Sequence, residues 1–383
     1  MNTYYVTTAI PYVNAAPHLG HALELVQADV LARHRRLRGQ PVRFLTGTDD
    51  NAIKNVTAAQ AAGVGVAEFV RAGGDRFTAL AGPLSLSCDD VIRTGSDPRH
   101  RPGVEALWRR SSAAGDLYRH RYEGRYCAGC ERFTEPEERL CAEHGIEPEP
   151  VAEENWFFRL SRYAGLVEDA IRSGRIAIQP ASRRNEVLGF LRGGVADISV
   201  SRPAARAGGR GIPVPDDLDQ VVYVWWDALA NYVTALGYGG TDAALRRWWA
   251  DPGERVHVIG KGILRFHAVI WPALLAPAGL PLPTTVLVHP YLDIDGAKIS
   301  KSSGPTVDPV ALVDRFGVDA LRWWLVCEVG LDADTDFTIE RLVGVLALEC
   351  GPSVPDGAAR LQAALGTGAR VGPAQPSFRR LEA

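Results

Sequence analysis

The chain has 383 residues, 46% hydrophobic and 23% charged, an ordinary balance for a soluble globular protein and enough length for two or three domains around a buried core. Its formal net charge of −3 excludes a global electrostatic pull toward nucleic acid, so a polynucleotide partner would need a local basic patch. No apolar run is long enough to span a bilayer, and the N-terminus lacks a basic region followed by an apolar core; no membrane anchor or secretory signal is expected, and the chain reads as cytoplasmic.

Tyr4 to Ile10 is β-branched and aromatic and predicts a strand bounded by Pro11. Leu19, Leu23, Val26, Val30 and Leu37 then recur at helical spacing. His18 and His21, in Pro17-His18-Leu19-Gly20-His21, therefore stand where a strand's C-terminal end turns into a helix N-terminus, the usual ligand crevice of an open parallel sheet. The backbone N–H groups and helix dipole there favour phosphate, and Gly20, with no Cβ, lets an anion approach the backbone. Two solvated histidines at a helix start are the bland alternative. A second strand, Val42 to Thr46, ends at Gly47-Thr48-Asp49-Asp50, which turns Asp49 toward the same crevice; a plain cap or turn is its other reading. Residues 1–113 thus form the first half of a doubly wound α/β domain.

Residues 114–218 change to short strands, turns and charge runs, the pattern of an inserted domain. Cys127, Cys130 and Cys141 cluster there while Cys88, Cys327 and Cys350 are scattered, which argues for a metal site in a reducing compartment and against a disulfide framework. The pairs Cys127/Cys130 and Cys141/His144 supply four ligands suited to tetrahedral Zn²⁺, a closed and hence structural shell. Residues 201–213 are basic and poor in structure, a solvated linker. The second half of the sheet resumes at Val221 to Trp225 within 219–300, with Val256 to Gly260 and Thr285 to His289 as further strands. Lys298 and Lys301 follow in Gly296-Ala297-Lys298-Ile299-Ser300-Lys301-Ser302-Ser303-Gly304, a Gly/Ser loop in which two lysines at spacing three can close over a polyphosphate as point charges. Residues 301–345 continue this loop into a helical connective region, helical over Asp308 to Trp324. Residues 346–383 are rich in Gly, Pro and Ala and read as an irregular tail with one short helix at Ala358 to Leu365.

His-Leu-Gly-His near the N-terminus and Lys-Ile-Ser-Lys-Ser far downstream resemble the two signatures of class I aminoacyl-tRNA synthetases. Thr8-Ala9-Ile10-Pro11-Tyr12-Val13-Asn14, Thr46-Gly47-Thr48-Asp49, Tyr223-Val224-Trp225-Trp226-Asp227-Ala228 and His257-Val258-Ile259-Gly260-Lys261 narrow the resemblance to the methionyl-tRNA synthetase family, from about residue 3 to about residue 340. The resemblance implies a class I, Rossmann-like parallel sheet with a zinc-knuckle insertion. It also implies activation of an amino acid by ATP with Mg²⁺. His18 and His21 would stabilise the α-phosphate region and Lys298 and Lys301 the β and γ phosphates. Asp49 would take the substrate amino group. Ile10, Tyr12, Trp225, Ala228, Leu229, Tyr232, Ile263 and His267 would line a methionine pocket, with Gly20, Gly260 and Arg202 on the nucleotide side.

This sequence departs from the family pattern at Asn51 and Ala52, where His and Gly are usual, and at Gly262, where Asp is usual; both changes fall on the nucleotide side of the expected pocket. The family's anticodon-reading helical bundle has no counterpart in residues 346–383. Two acceptors for the activated amino acid are therefore weighed. One is tRNA. The other, favoured on the short tail, is a small N-hydroxylated amine, as in the synthetase-like parts of hydrazine synthetases, with a separate cupin partner. A non-catalytic amino-acid or nucleotide sensor is the third reading.

Overall fold

The computed structural model describes residues 2–127, 132–134, 139–141, 145–241, 243–294, 297–298 and 307–343. Six strands make the central sheet: β1 (Thr3–Thr8), β2 (Val42–Thr48), β3 (Asp90–Arg93), β4 (Ala177–Gln179), β5 (Gly253–Gly260) and β6 (Thr285–His289). They lie in the order β3-β2-β1-β5-β6-β4, every neighbouring pair parallel. A parallel sheet covered on both faces needs buried side chains in both directions, and all six residues of β1 are buried. Its hydroxyls are satisfied by neighbours: Thr7 Oγ1 lies 2.7 Å from His257 Nδ1, and Thr8 Oγ1 2.8 Å from Thr46 Oγ1.

Five helices frame the site: α1 (Leu19–Leu37), α2 (His100–Ala113), α3 (Val224–Thr234), α4 (Pro309–Phe316) and α5 (Val318–Cys327). Leu19, Leu23 and Val26 of α1 are buried in one cluster with Leu321, Trp324 and Leu325 of α5, while Ala28 and Ala32 pack on Tyr4, Val6 and Val258 of the sheet. Leu37, expected on the same stripe, is 89% exposed because the packed face has ended before the helix does. The helical run predicted over Asp308 to Trp324 is broken into α4 and α5 at Gly317, whose φ of +86° no helix accommodates. Among the described residues no helix is long and apolar enough to cross a membrane.

The segment 114–218 does not stay apart from the sheet. Leu117–Cys127, Arg132–Thr134, Glu149–Phe158 and Ile198–Ser199 form an antiparallel sheet, but β4 between them returns to the main sheet and pairs with β6. The strand expected at Val221 to Trp225 also needs correction. Asp217–Val222 is a strand of a small antiparallel sheet with Ser201–Pro203 and Pro213–Val214, and the chain turns helical from Val224. The basic stretch 201–213, expected to be an unstructured linker, supplies the other two strands of that small sheet. The short helix expected at Ala358 to Leu365 lies outside the described residues.

Gly47 shows how tightly the sheet closes beneath the ligand edge: a Cβ there would stand 2.2 Å from Ile92 O on β3 and 3.1 Å from Ile10 Cγ2. Gly47→Ala should destabilise the protein by about 1–3 kcal/mol, the usual cost of overpacking. A fall in the urea midpoint is the expected result; an unchanged midpoint would show that β2 and β3 separate without cost.

Candidate active site

Because all six strands run parallel, their C-terminal ends share one edge. The chain leaves β1 toward β2 and returns through β5, so the order reverses between β1 and β5, where open α/β sheets hold their ligands. A cleft of about 1850 Å³ opens there. Ile10, Tyr12, His18, Gly20 and His21 reach it from the β1 side, Asp49 from β2, and Gly260, Ile263 and His267 from β5. Trp225, Ala228, Leu229 and Tyr232 line it from α3, and Arg202 from the small antiparallel sheet.

The histidines build the start of α1. His18 is its N-cap: His18 Nδ1 accepts from Gly20 N–H at 3.1 Å, and His21 Nδ1 accepts from His18 N–H at 3.1 Å. With both Nδ1 atoms accepting, a neutral ring carries its proton on Nε2. The rings lie 3.7 Å apart between centroids, tilted by 34°, and His21 is perpendicular to Phe77 at 5.0 Å. Leu19 N–H donates to Val307 O at 3.0 Å and His21 N–H to His18 O at 2.9 Å. The first N–H groups of α1 are thus engaged within the protein, and the expectation that they face an anion is corrected. Gly20 makes room for a side chain instead: a Cβ there would lie 3.0 Å from His18 Cε1.

Asp49 is buried at 1% exposure, directly beyond β2. Its N–H donates to Pro11 O at 2.9 Å, which extends the β1–β2 pairing and sets it beside Tyr12. Asn51 N–H donates to Asp49 Oδ1 at 3.1 Å, and Asn55 Nδ2 donates to Asp49 O at 3.0 Å. The Asn51 side-chain amide donates to Asp227 Oδ2 of α3 at 2.8 Å. Gly262 lines the cleft, in the turn after β5.

On α3, Trp225, Ala228, Leu229 and Tyr232 follow the i, i+3, i+4, i+7 spacing that puts them on one face. Trp225 stacks on Phe266 at 3.7 Å and 12°, and Tyr12 meets it edge-on at 6.4 Å. Beneath them His267 Nδ1 donates to Ile263 O at 3.0 Å, so its Nε2 accepts from Tyr232 O–H at 2.7 Å. Burial pushes the His267 imidazole down to about 4. His257, pressed between Thr7 and Trp271 N–H, is likewise held neutral, first by burial and then by His267.

Lys261, His289 and Glu24 are cleft residues to which the sequence reading gave no role. Lys261 Nζ pairs with both oxygens of Asp334, at 2.7 and 2.5 Å, and lies 4.4 Å from the Tyr291 ring centroid. His289, at the end of β6, contacts Pro290 O at 2.8 Å and Glu24 Oε2 at 3.1 Å. Glu24 stands three residues after His21 on α1, a spacing that could have revealed it. Arg202 donates to Tyr126 O–H at 2.7 Å and faces the Tyr223 ring. Lys298 pairs by its backbone with Asp293; its side chain and Lys301 lie outside the described residues. Cys130 and His144 lie outside them too, whereas Cys127 and Cys141 are buried at 0% and 1%. Gly145 N–H donates to Cys141 O at 2.7 Å. Among the described residues no three His, Cys, Asp or Glu side chains gather as a metal site.

The family profile described as tRNA synthetases class I (M) matches residues 4–142 and 134–349. This chain belongs to the methionyl-tRNA synthetase family. It is 45% identical over 351 residues to the methionine–tRNA ligase of Mycobacterium bovis, covering 90% of this chain and 66% of that protein. It is 42% identical to the Thermotoga maritima ligase over 347 residues, covering 89% and 54%. The chain therefore spans less than two thirds of the length of these curated relatives. A solved structure of Mycobacterium tuberculosis methionyl-tRNA synthetase in complex with methionyl-adenylate superposes with a TM-score of 0.87 at 41% identity, covering 96% of this chain and 72% of that one. The apo form of the same enzyme superposes at 0.77 and 38% identity, covering 96% and 70%.

In this synthetase-family pocket, His267 generates a pH dependence whose sign is fixed. Its folded value of about 4 lies below the unfolded value of about 6.5, so below pH 6.5 the unfolded chain takes a proton that the folded chain refuses. Its contribution is complete above pH 6.5 and is lost as pH falls toward 4, roughly 3 kcal/mol in all. His267→Gln should remove that part of the slope in urea denaturation at pH 4.5 and 7.5, leaving the share of His257. An unchanged slope would mean that His267 is charged in the folded protein.

Proposed function

We propose that this chain activates methionine with ATP, forming methionyl-adenylate and pyrophosphate, and passes the methionyl group to tRNA. The observation that carries the reading is the convergence on one cleft of an apolar face of α3, the carboxylate of Asp49 and the histidine pair at the start of α1. The better superposition on an adenylate-bound relative than on an apo one supports it. The relatives are tRNA ligases, which favours tRNA as acceptor over the N-hydroxylated amine; no observation favours that amine, a cupin partner or a sensor.

In this mechanism Trp225, Ala228, Leu229, Ile10, Ile263 and the Tyr232–His267 pair enclose the methionine side chain; an apolar, aromatic wall suits a polarizable thioether. A neutral His267 matters here, because an imidazolium would leave a charge against that wall. Asp49 takes the ammonium, and Tyr12 closes the mouth. The substrate carboxylate attacks the α-phosphorus of ATP while the bond to the β-phosphate oxygen breaks and pyrophosphate leaves. Such an in-line transfer needs positioning and charge neutralisation more than covalent help. His18 and His21 would neutralise charge at the α-phosphate, and Lys298 and Lys301 at the β and γ phosphates, with Arg202, Gly260 and Gly262 on the nucleotide side. With no carboxylate cage among the described residues, Mg²⁺ would enter on the phosphates of ATP. A tRNA terminal hydroxyl then attacks the acyl carbon and AMP leaves.

Methionine should support pyrophosphate exchange into ATP, and Lys301→Ala should slow exchange by about 10²-fold or more, the scale of one electrostatic contact to the transition state. Charging of tRNA should follow in the same preparation. Consumption of the adenylate by N-hydroxylysine but not by tRNA would reverse the choice of acceptor, and failure of every amino acid in exchange would end the enzymatic reading.

The buried thiols of Cys127 and Cys141 fit the soft half of a zinc shell, and we assign Cys130 and His144 to the other half; zinc bound there would tie down the inserted hairpin and take no part in the reaction. Metal analysis should find about one zinc per chain, in line with one four-ligand site. Cys130→Ser should release it and unfold the antiparallel sheet of Leu117–Phe158, while the helices packed on the parallel sheet keep their far-ultraviolet signal. Zinc content unchanged by that substitution would place the metal elsewhere.

A further inference from the structure

Asn51 makes directed bonds to two parts of the pocket at once. Its main-chain N–H holds Asp49 Oδ1 at 3.1 Å, and its side-chain amide donates to Asp227 Oδ2 at 2.8 Å and to Thr94 O at 3.3 Å. Asp227 is 1% exposed, and its second oxygen is taken by His100 Nε2, whose Nδ1 lies 2.8 Å from Thr234 Oγ1. Asp227 belongs to α3, the helix that turns Trp225, Ala228, Leu229 and Tyr232 toward the cleft. A single residue thus joins the Asp49 carboxylate to the apolar wall.

We propose that Asn51 is a positioning residue for the amino-acid substrate: it pins Asp49 to α3 and so fixes the separation between the point that takes the ammonium and the wall that takes the side chain. The inference rests on the methionine reading above. An α-amino acid carries those two groups at a separation set by its own bonds, so a site that reads both must hold its two halves in register. Asn suits the task because it is neutral and donates from both main chain and side chain, leaving Asp49 and Asp227 as acceptors. Histidine, usual at this position in the family, also offers an N–H donor, which makes Asn51→His the conservative variant.

The test is steady-state pyrophosphate exchange by the wild type, Asn51→Leu and Asn51→His. Asn51→Leu should raise KM for methionine by about tenfold or more, the scale of a lost buried hydrogen bond to a charged group. KM for ATP and kcat should stay within about threefold, because binding of the amino acid and not the transition state is disturbed. Asn51→His should recover most of the loss. The inhibition constant of 4-(methylthio)butanoate, methionine without its ammonium, should be the same for the wild type and Asn51→Leu. Should Asn51→Leu fail to fold, Asn51→Ser, too short to reach Asp227, carries the same comparison. KM values for methionine and ATP that rise together, a loss confined to kcat, or an analogue that weakens as much as methionine would overturn the inference alone. A wild type that exchanges pyrophosphate with no amino acid would overturn the methionine reading and this inference with it.

Discussion

Two parallel strands lying side by side at the centre of the sheet set the place of everything else. β1 and β5 pair from Thr3↔Gly253 to Thr8↔Val258, yet the chain departs from them toward opposite halves of the sheet. The connections after β1 and after β5 therefore diverge, and among the described residues the cleft opens above their ends. The strands are held where polar atoms demand it: Thr7 and His257, both fully buried, satisfy each other across the pair. Because β2 and β6 run the same way, Asp49 and His289 are delivered to the same edge without any special turn.

That edge differs from the usual anion-binding helix start. At α1 the capping is done by imidazole nitrogens, which occupy the N–H groups that a phosphate would otherwise meet. Each ring is thereby fixed at Nδ1. The helix uses its own donors to orient side chains, and under the proposed reaction the neutralisation of an incoming polyphosphate would fall to those side chains and to Lys298 and Lys301. The constraint is steric: a Cβ at position 20 would crowd the His18 ring at 3.0 Å.

Much of this was legible in the sequence because the signals are short and local. The strand before Pro11, the periodicity of α1 and the spacing of the two motifs each follow from neighbours in the chain. Structure set by distant partners was not legible. β4 has three residues, too few to carry a pattern, and it is a strand only because Thr285, Val286 and Leu287 of β6 lie beside it. Tyr223 to Trp225 is rich in β-formers, but burial along the i, i+3, i+4 spacing from Trp225 overrides that propensity. The ring that Gly20 meets two residues away, and the carboxylate that Asn51 meets 176 positions along the chain, carried no signal in the sequence. The acceptor was inferred from the shortness of the tail, a property with no bearing on the chemistry of the cleft.

The helix α3 shows why polar burial and pocket shape are one problem. One face lines the cleft, a second puts Trp226, Ala230 and Val233 into the core, and a third carries Asp227 and Thr234, also buried. Apolar packing is non-directional and tolerates small rotations of a helix about its axis. Hydrogen bonds do not: Asp227 must meet both Asn51 and His100, and Thr234 must meet His100, or a charge is left buried without partners. The two bonds to His100 therefore select the rotation of α3, and with it the direction in which Trp225, Leu229 and Tyr232 point, while the bond to Asn51 sets Asp49 against that face. A substitution on the stripe, remote from any substrate atom, acts on the pocket through that rotation.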